Sequence, residues 1–431
     1  MKKRKNQLAM LLGFGLCIGT TACASNGSSE ETLTAETTEM QYSSEDIANI
    51  EYDESLMLTG YQNFSMQLFG ECSSAANAEE NVMISPTSVM MALEMVDAGA
   101  NGATEEQITQ MLCPGAQNEE LQAYTKDYAE QLQESEDVTM HIANSVWINQ
   151  ATLASQINND YVEYLEDNFG ALAKAVPFDN DTVEEMNEWV MDNTDNMIDK
   201  IVDRLSEDAA LMLINAISFE AKWEEPYEEY QIDDGEFTNA DGTTADVTML
   251  NGSSKAYYES DDATGFIQYY AGGEYAFVAI LPKEEGSANE YAANMTAQSY
   301  NEFMESVSYD YDVETQMPEF KSEYEIVMND ILCNQFGMRD AFDPEKADFT
   351  NIAMLDEGNL YISTVLHKTY IELDRNGTRA AAVTAIQLDS YSADMPREIK
   401  SVILDRPFVY AIIHTSNNQP VFIGTMNTIA E

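Results

Sequence analysis

Apolar residues recur at helical spacing through the first half of the chain. From Val89 to Asp97 and from Glu105 to Leu112 they fall on one side of a 3.6-residue period, which predicts two helices with Ser88 or Thr104 placed to cap their starts. The stretch from Val183 to Ile201 follows the same rule through Met186, Trp189, Val190, Met197 and Ile198, and predicts a third. Short runs rich in β-branched and aromatic residues interleave with these and then dominate: Ile142 to Ile148, Leu211 to Phe219, Tyr275 to Leu281, Thr369 to Leu373, Phe408 to Ile413 and Val421 to Ile423. The mixture predicts an α+β fold, with helices packed on large mixed or antiparallel β-sheets. From Glu54 to Glu431 no long linker, low-complexity block or internal repeat intervenes, so residues 54–431 are expected to form one large domain.

The start of the chain follows a different pattern. Lys2, Lys3, Arg4 and Lys5 precede an apolar run from Leu8 to Ile18, then small residues from Gly19 to Ala22, then Cys23. Residues 1–22 therefore read as an export signal, with an apolar run too short to span a bilayer comfortably. Small residues leading to a cysteine resemble a bacterial lipobox, with Thr20 where that pattern prefers Leu; the resemblance implies that Cys23 is acylated and becomes the new N-terminus. Polar residues rich in Ser, Glu and Thr follow, so residues 23–53 are expected to form a flexible tether. The expected location is extracellular, at the cell surface on a lipid or simply secreted, with no contact to the membrane except through that lipid.

Composition removes several functions. With 77 acidic against 20 basic residues, the net charge of −57 repels phosphate backbones, so nucleic acid is not an expected partner. Cys72, Cys113 and Cys333 remain once Cys17 and Cys23 are assigned to the signal, and three scattered cysteines make no disulfide framework. No CxxC pair or histidine cluster marks a metal site, and no cofactor is expected. His141, His367 and His414 are the only histidines, which leaves a hydrolytic triad poorly supported.

Ser85, Ser88, Asn215 and His367 are short polar groups inside apolar stretches, and such groups must satisfy one another when buried. They belong to a longer series of motifs. Asn81, Ser85, Pro86 and Ser88, continuing to Leu93, Gly99 and Thr104, read N-x-x-x-S-P-x-S. Ala143-Asn144 with Trp147, then Asn187 with Trp189, and the run Leu213 to Trp223 containing Asn215 and Phe219 follow in order. Leu281-Pro282, Met317-Pro318, Phe336-Gly337-Met338, Ala347-Asp348-Phe349, His367-Lys368, Gly377-Thr378, Arg406-Pro407-Phe408 and Phe422 with Gly424 complete the series. Together these resemble the serpin family over nearly all of residues 54–431. The resemblance implies a serpin fold with an exposed reactive-centre loop at about 375–400. It also implies a shutter of Ser85, Ser88, Asn215 and His367 beneath the central sheet, and places Trp223 near the top of that sheet, where it opens. Inhibitory members carry Glu two residues before the hinge glycine and a basic residue after the proline of the neighbouring strand. Here Arg375 and Glu319 stand there, so both charges are reversed and a compensated pair is expected.

The stretch from Gly377 to Arg397 is bait by the same resemblance, with Gly377, Thr378, Ala380, Ala381 and Ala382 as its hinge. Alternate residues of a strand share a face. Thr378, Ala380, Ala382, Thr384, Ile386 and Leu388 form one uncharged set, while Arg379 and Asp389 fall in the other, as insertion with one covered face requires. Counting as that family does puts the reactive bond between Tyr391 and Ser392, with cleavage at Leu388 or Met395 left open. The function implied is suicide-substrate inhibition of a serine endopeptidase, chymotrypsin-like or elastase-like, by a monomer that is not itself an enzyme. The alternative is a non-inhibitory serpin acting in surface binding or adhesion.

Overall fold

A computed structural model describes residues 43–379, apart from 134 and 136, and residues 397–429. Three sheets organise them. The main one has six strands: β1 (Val138–Asn149), β2 (Leu172–Val176), β3 (Leu211–Lys222), β4 (Phe320–Val327), β5 (Ile362–Asp374) and the two-residue β6 (Gly377–Thr378). Their spatial order is β4-β5-β6-β3-β1-β2. A second six-stranded sheet is centred on Tyr275–Pro282, Phe408–His414 and Gln419–Met426, and a four-stranded sheet joins Ile232–Thr238, Thr244–Ser254, Tyr311–Pro318 and Glu398–Ile403. Each of the expected strands lies inside one of these, and the α+β architecture is as the patterning requires.

The main sheet is held differently along its length. β3 and β5 pair in parallel from Leu211–Ile362 to Ser218–Tyr370. Beyond that point β6 enters between them, antiparallel to both, with Thr378 opposite Leu373 on one side and Ala221 on the other. A parallel pair needs both faces covered, and the strand sequences comply. Ala143 and Trp147 of β1 with Met212, Ile214 and Ala216 of β3 form one apolar face, packed against Met186 and Val190 of the helix Asn180–Asn193. The alternate residues Leu211, Leu213, Ile217 and Phe219 face the larger core shared with the second sheet.

The α-helices of the first half of the described chain are α1 (Ser44–Ile47), α2 (Glu54–Ala75), α3 (Pro86–Asp97), α4 (Gly102–Leu112), α5 (Asn118–Gln133), α6 (Asn159–Phe169) and α7 (Asn180–Asn193). The start of α3 corrects the expected cap. Proline lacks an N–H and favours the first helical turn, so the helix begins at Pro86, and Ser85 Oγ accepts from the Ser88 N–H at 3.2 Å. Ser88 is thereby released from capping. Thr104 is likewise not a cap; its Oγ accepts from the Asp348 N–H at 3.0 Å, inside α4. The third helix is shorter than its periodicity suggests. It stops at Asn193, after which Asp195 and Asn196 adopt φ values of 49° and 59°, a left-handed turn that short polar side chains tolerate. Met197, Ile198 and Ile201 continue the apolar pattern from a loop, still buried.

The end of the expected tether belongs to the folded body. Ser43 caps α1, Ile47 is buried, and the Asn168 amide donates to Ser44 Oγ at 2.8 Å. Cys72, Cys113 and Cys333 are free thiols. Among the described residues no helix is long and apolar enough to cross a membrane.

The last turn of α3 buries two carboxyl groups. Asp97 Oδ2 accepts from Thr109 Oγ1 at 2.9 Å and from Asn118 Nδ2 at 2.8 Å, whereas both Glu94 oxygens and Asp97 Oδ1 have no partner. Burial disfavours the charged form, pushing Glu94 up to about 8 and Asp97 well above the usual carboxylate range. An acid bound more tightly to its proton in the folded state than in the unfolded one makes stability fall as pH rises between the two values. That window runs from 4.5 to about 8 for Glu94. Glu94→Gln keeps the shape and cannot ionise. It is expected to raise the melting temperature by several degrees at pH 8 and by much less at pH 5; an equal gain at both pH values would remove ionisation as the cause.

Candidate functional site

Where β3 and β5 meet, the sheet contains polar atoms. Asn215 on β3 stands opposite His367 on β5 and, across the other edge of its strand, opposite Asn144 on β1. All three are buried, and the start of α3 lies beneath them. His367 Nε2 accepts from the Ser85 N–H at 3.1 Å, which leaves the ring proton on Nδ1, close to the Asn215 carbonyl oxygen. The Asn215 amide donates to the Ser88 carbonyl at 2.9 Å and also contacts Ser88 Oγ and the Asn144 side-chain oxygen. Thr369 extends the cluster by donating to the Met83 carbonyl at 2.8 Å. Each polar group is matched, which is the condition for burying them at all.

Burial holds the His367 ring neutral, with its pKa lowered to about 3. Protonation would put a hydrogen on Nε2, facing the Ser85 N–H, with two donors in contact.

A second group of residues holds the top of the sheet. Asp374 ends β5, and its Oδ1 accepts from the Asn376 and Gly377 N–H groups at 2.6 and 3.2 Å, turning the chain back into β6. Gly377 has φ 150°, and a Cβ there would lie 2.1 Å from the Ala221 carbonyl oxygen, so no other residue fits. Trp223 follows β3. Its indole stacks on Tyr270 with centroids 4.5 Å apart, and its Nε1–H donates to the Asp374 carbonyl at 2.9 Å. Tyr270 in turn shares a 2.7 Å hydrogen bond with Thr378 Oγ1. Glu319 Oε1 accepts from both the backbone N–H and Nε–H of Arg375, at 3.1 and 3.3 Å, and Glu229 meets the same guanidinium at 3.3 Å. Thr378 is fully buried. Arg379 turns out to the α7 face and donates to the Asp195 carbonyl at 3.2 Å.

The structure thus brings together Ser85, Ser88, Asn215 and His367, and separately Trp223, Glu319, Arg375, Gly377 and Thr378. Ala380, Ala381, Ala382, Tyr391, Ser392 and Cys23 lie outside the described residues. Sequence reasoning gave no polar role to Asn144, although an asparagine inside the apolar run Ile142 to Ile148 was a visible signal. Tyr270 had no such signal, because its hydroxyl is paired only through a residue 108 positions away.

A base whose folded pKa is depressed makes stability fall as pH drops, here from 6.5 toward 3. At about 1.4 kcal/mol per pH unit, His367 should cost about 2 kcal/mol between pH 7.5 and 5. Urea unfolding of His367→Gln is expected to be less sensitive to that acidification than wild type by about this amount. Identical pH dependence in the two proteins would assign the acid sensitivity to other groups.

Comparison with known proteins follows the same course along the chain. Residues 59–429 match the family model described as "Serpin (serine protease inhibitor)". The chain is 29% identical over 377 residues to Ipis-1 of Ixodes persulcatus, covering 85% of this chain and 97% of that protein. It is 27% identical over 375 residues to neuroserpin of Homo sapiens, covering 82% and 89%. The native-state crystal structure of the thermophilic serpin Tengpin matches with TM-score 0.80 and 38% identity, over 88% of this chain and 96% of that one. The latent state of Tengpin matches with TM-score 0.75 and 36% identity, over 88% and 100%. The chain belongs to the serpin family.

Proposed function

We propose that the chain inhibits a chymotrypsin-like or elastase-like serine endopeptidase as a single-use substrate. The observation that carries this reading is the main sheet parted by β6, with Thr378 seated between β3 and β5. Continued in the same antiparallel register, Ala380 would face Phe219 and Ala382 would face Ile217, on the side of the large core. Arg379 would stand opposite Glu220 on the other face. The small inward residues match the core-facing side of β3; its other side is charged only at the top, at Glu220, and is apolar and covered below it, so the expected single covered face holds only where β6 enters.

The chemistry belongs to the protease. Its serine oxygen attacks the Tyr391 carbonyl carbon, the Tyr391–Ser392 bond breaks, and the Ser392 nitrogen leaves with a proton, which produces an acyl-enzyme ester. Insertion of the freed strand then carries the enzyme across the inhibitor and distorts its oxyanion hole before water cleaves the ester. In this reading the inhibitor acts outside the cell, held by lipid on Cys23 or secreted. Arg375 and Glu319 tie the turn into β6 to the start of β4, on the side of β5 away from the seam that parts.

Incubation with chymotrypsin or elastase, followed by a denaturing gel, is expected to give a covalent complex, and mass spectrometry of the released peptide should begin at Ser392. Ala382→Arg would bury an unpaired charge on the core-facing side of the strand only when it inserts, at several kcal/mol, and should convert the inhibitor into a substrate. A complex formed by that variant at wild-type efficiency would remove the insertion step. Clean loop cleavage of the wild type, with no complex, would favour the non-inhibitory surface-binding role.

The reversed pair has its own test. Arg375→Glu sets a third carboxylate against Glu319 and Glu229, and the lost pairing is about 0.2–1 kcal/mol for a partly exposed ion pair. Native gels after mild heating should show loop-sheet polymers of this variant, suppressed when Glu319→Lys is added. Polymers that persist in the double variant would show that the two residues are not coupled.

A further inference from the structure

The α7 face of the main sheet carries a cluster that the closed sheet does not use. His141 on β1 stands directly opposite Ser218 on β3, and Glu220 is the next residue of β3 on the same face, diagonal to His141. The left-handed turn at Asp195, where the chain leaves α7, lays a second carboxylate over that diagonal. One ligand atom from each of His141, Asp195 and Glu220 lies within 4.8 Å of the others.

Two polar atoms at this spot lack partners. His141 Nε2 is shielded from solvent and makes no hydrogen bond. Ser218 is fully buried, and its hydroxyl, on the strand position facing His141, is also unpaired. An orphaned buried polar atom costs about 1–3 kcal/mol, and an unpaired imidazole nitrogen grouped with two carboxylates offers three donors to a cation. Among the described residues Arg379 forms no ion pair with either carboxylate, its guanidinium donating to the Asp195 backbone carbonyl at 3.2 Å beside the cluster. One imidazole and two carboxylates with a position left open are the donor set of zinc-like ions; magnesium and calcium prefer oxygen alone.

We propose that His141 Nε2 and the Asp195 and Glu220 carboxylates bind one divalent transition-metal ion of the zinc class, with the Ser218 hydroxyl beside the imidazole. The spacing of histidines and cysteines along the sequence gave no reason to expect a metal. The ion ties the turn after α7 to β1 and β3, next to the point where β6 enters the sheet.

The test is independent of any protease. The full chain, stripped with chelator, is titrated with zinc chloride by calorimetry, and cobalt is substituted for its visible absorption. One ion per chain is expected, together with a rise in melting temperature. His141→Ala and Glu220→Gln should each weaken binding by about ten-fold or more, and His141→Ala should abolish the cobalt band, with far-UV circular dichroism unchanged. Asp195→Asn, on the exposed turn, gives the same loss without touching the sheet. No uptake by the wild type, or binding equally tight in all three variants, would overturn the site, the latter placing the ion on the general acidic surface.

Discussion

A neutral imidazole at the seam between β3 and β5 is the constraint around which the rest of the main sheet is arranged. His367 accepts from the first backbone N–H before α3 and lies against Asn215, so the strand pair and the helix start meet at one ring, and Asn215 carries the contact on to Asn144 of β1. Such a contact is directional. An apolar seam would tolerate sliding, whereas here a shift of one residue leaves several buried donors and acceptors unmatched. The closed register is therefore specified by hydrogen bonds, while the apolar faces of β1 and β3 supply the bulk of the burial.

The top of the sheet obeys a different rule. There the two strands are held apart by the chain itself, since the Asp374 turn, the stacked Trp223 and Tyr270 and the close approach of Gly377 to Ala221 fix β6 in the gap. Below lies a matched polar cluster and above lies a wedge of two residues. Lengthening the wedge, as the proposed inhibition requires, would make the seam beneath it exchange one set of partners for another.

The fold was legible where periodicity was strong. The strands at Leu211 to Phe219 and Phe408 to Ile413 are nearly continuous apolar runs, as fully covered strands must be, and their places follow from that. Helix ends were not legible, because Pro86 and the Asp195–Asn196 turn act through backbone geometry and leave the apolar pattern of α7 running past its own terminus. The polar cluster was half visible: short polar residues inside apolar runs identify Ser85, Asn215 and His367, but not which atoms meet. The grouping of His141, Asp195 and Glu220 was invisible, since it depends on strand register and on where α7 stops.

The scarcity of cations gives the sheet a further asymmetry. Only 20 basic residues face 77 acidic ones, yet several of the 20 sit on the β4–β5 side. Lys321 on β4 pairs with Glu372 on β5, and Lys368 on β5 pairs with Glu323 and Glu325 on β4. Lys368 is nearly buried and also donates to the Lys200 carbonyl, so its contacts are screened less than those of a free surface pair. Arg375, just past the end of β5, reaches Glu319, just before β4. Among the described residues, no ion pair joins β3 to β5. The β4–β5 pair is thus cross-linked by charge as well as by its ladder. The β3–β5 seam relies on backbone hydrogen bonds and one polar cluster, so a force that parts the sheet meets its weakest line there, along the path that β6 has already entered.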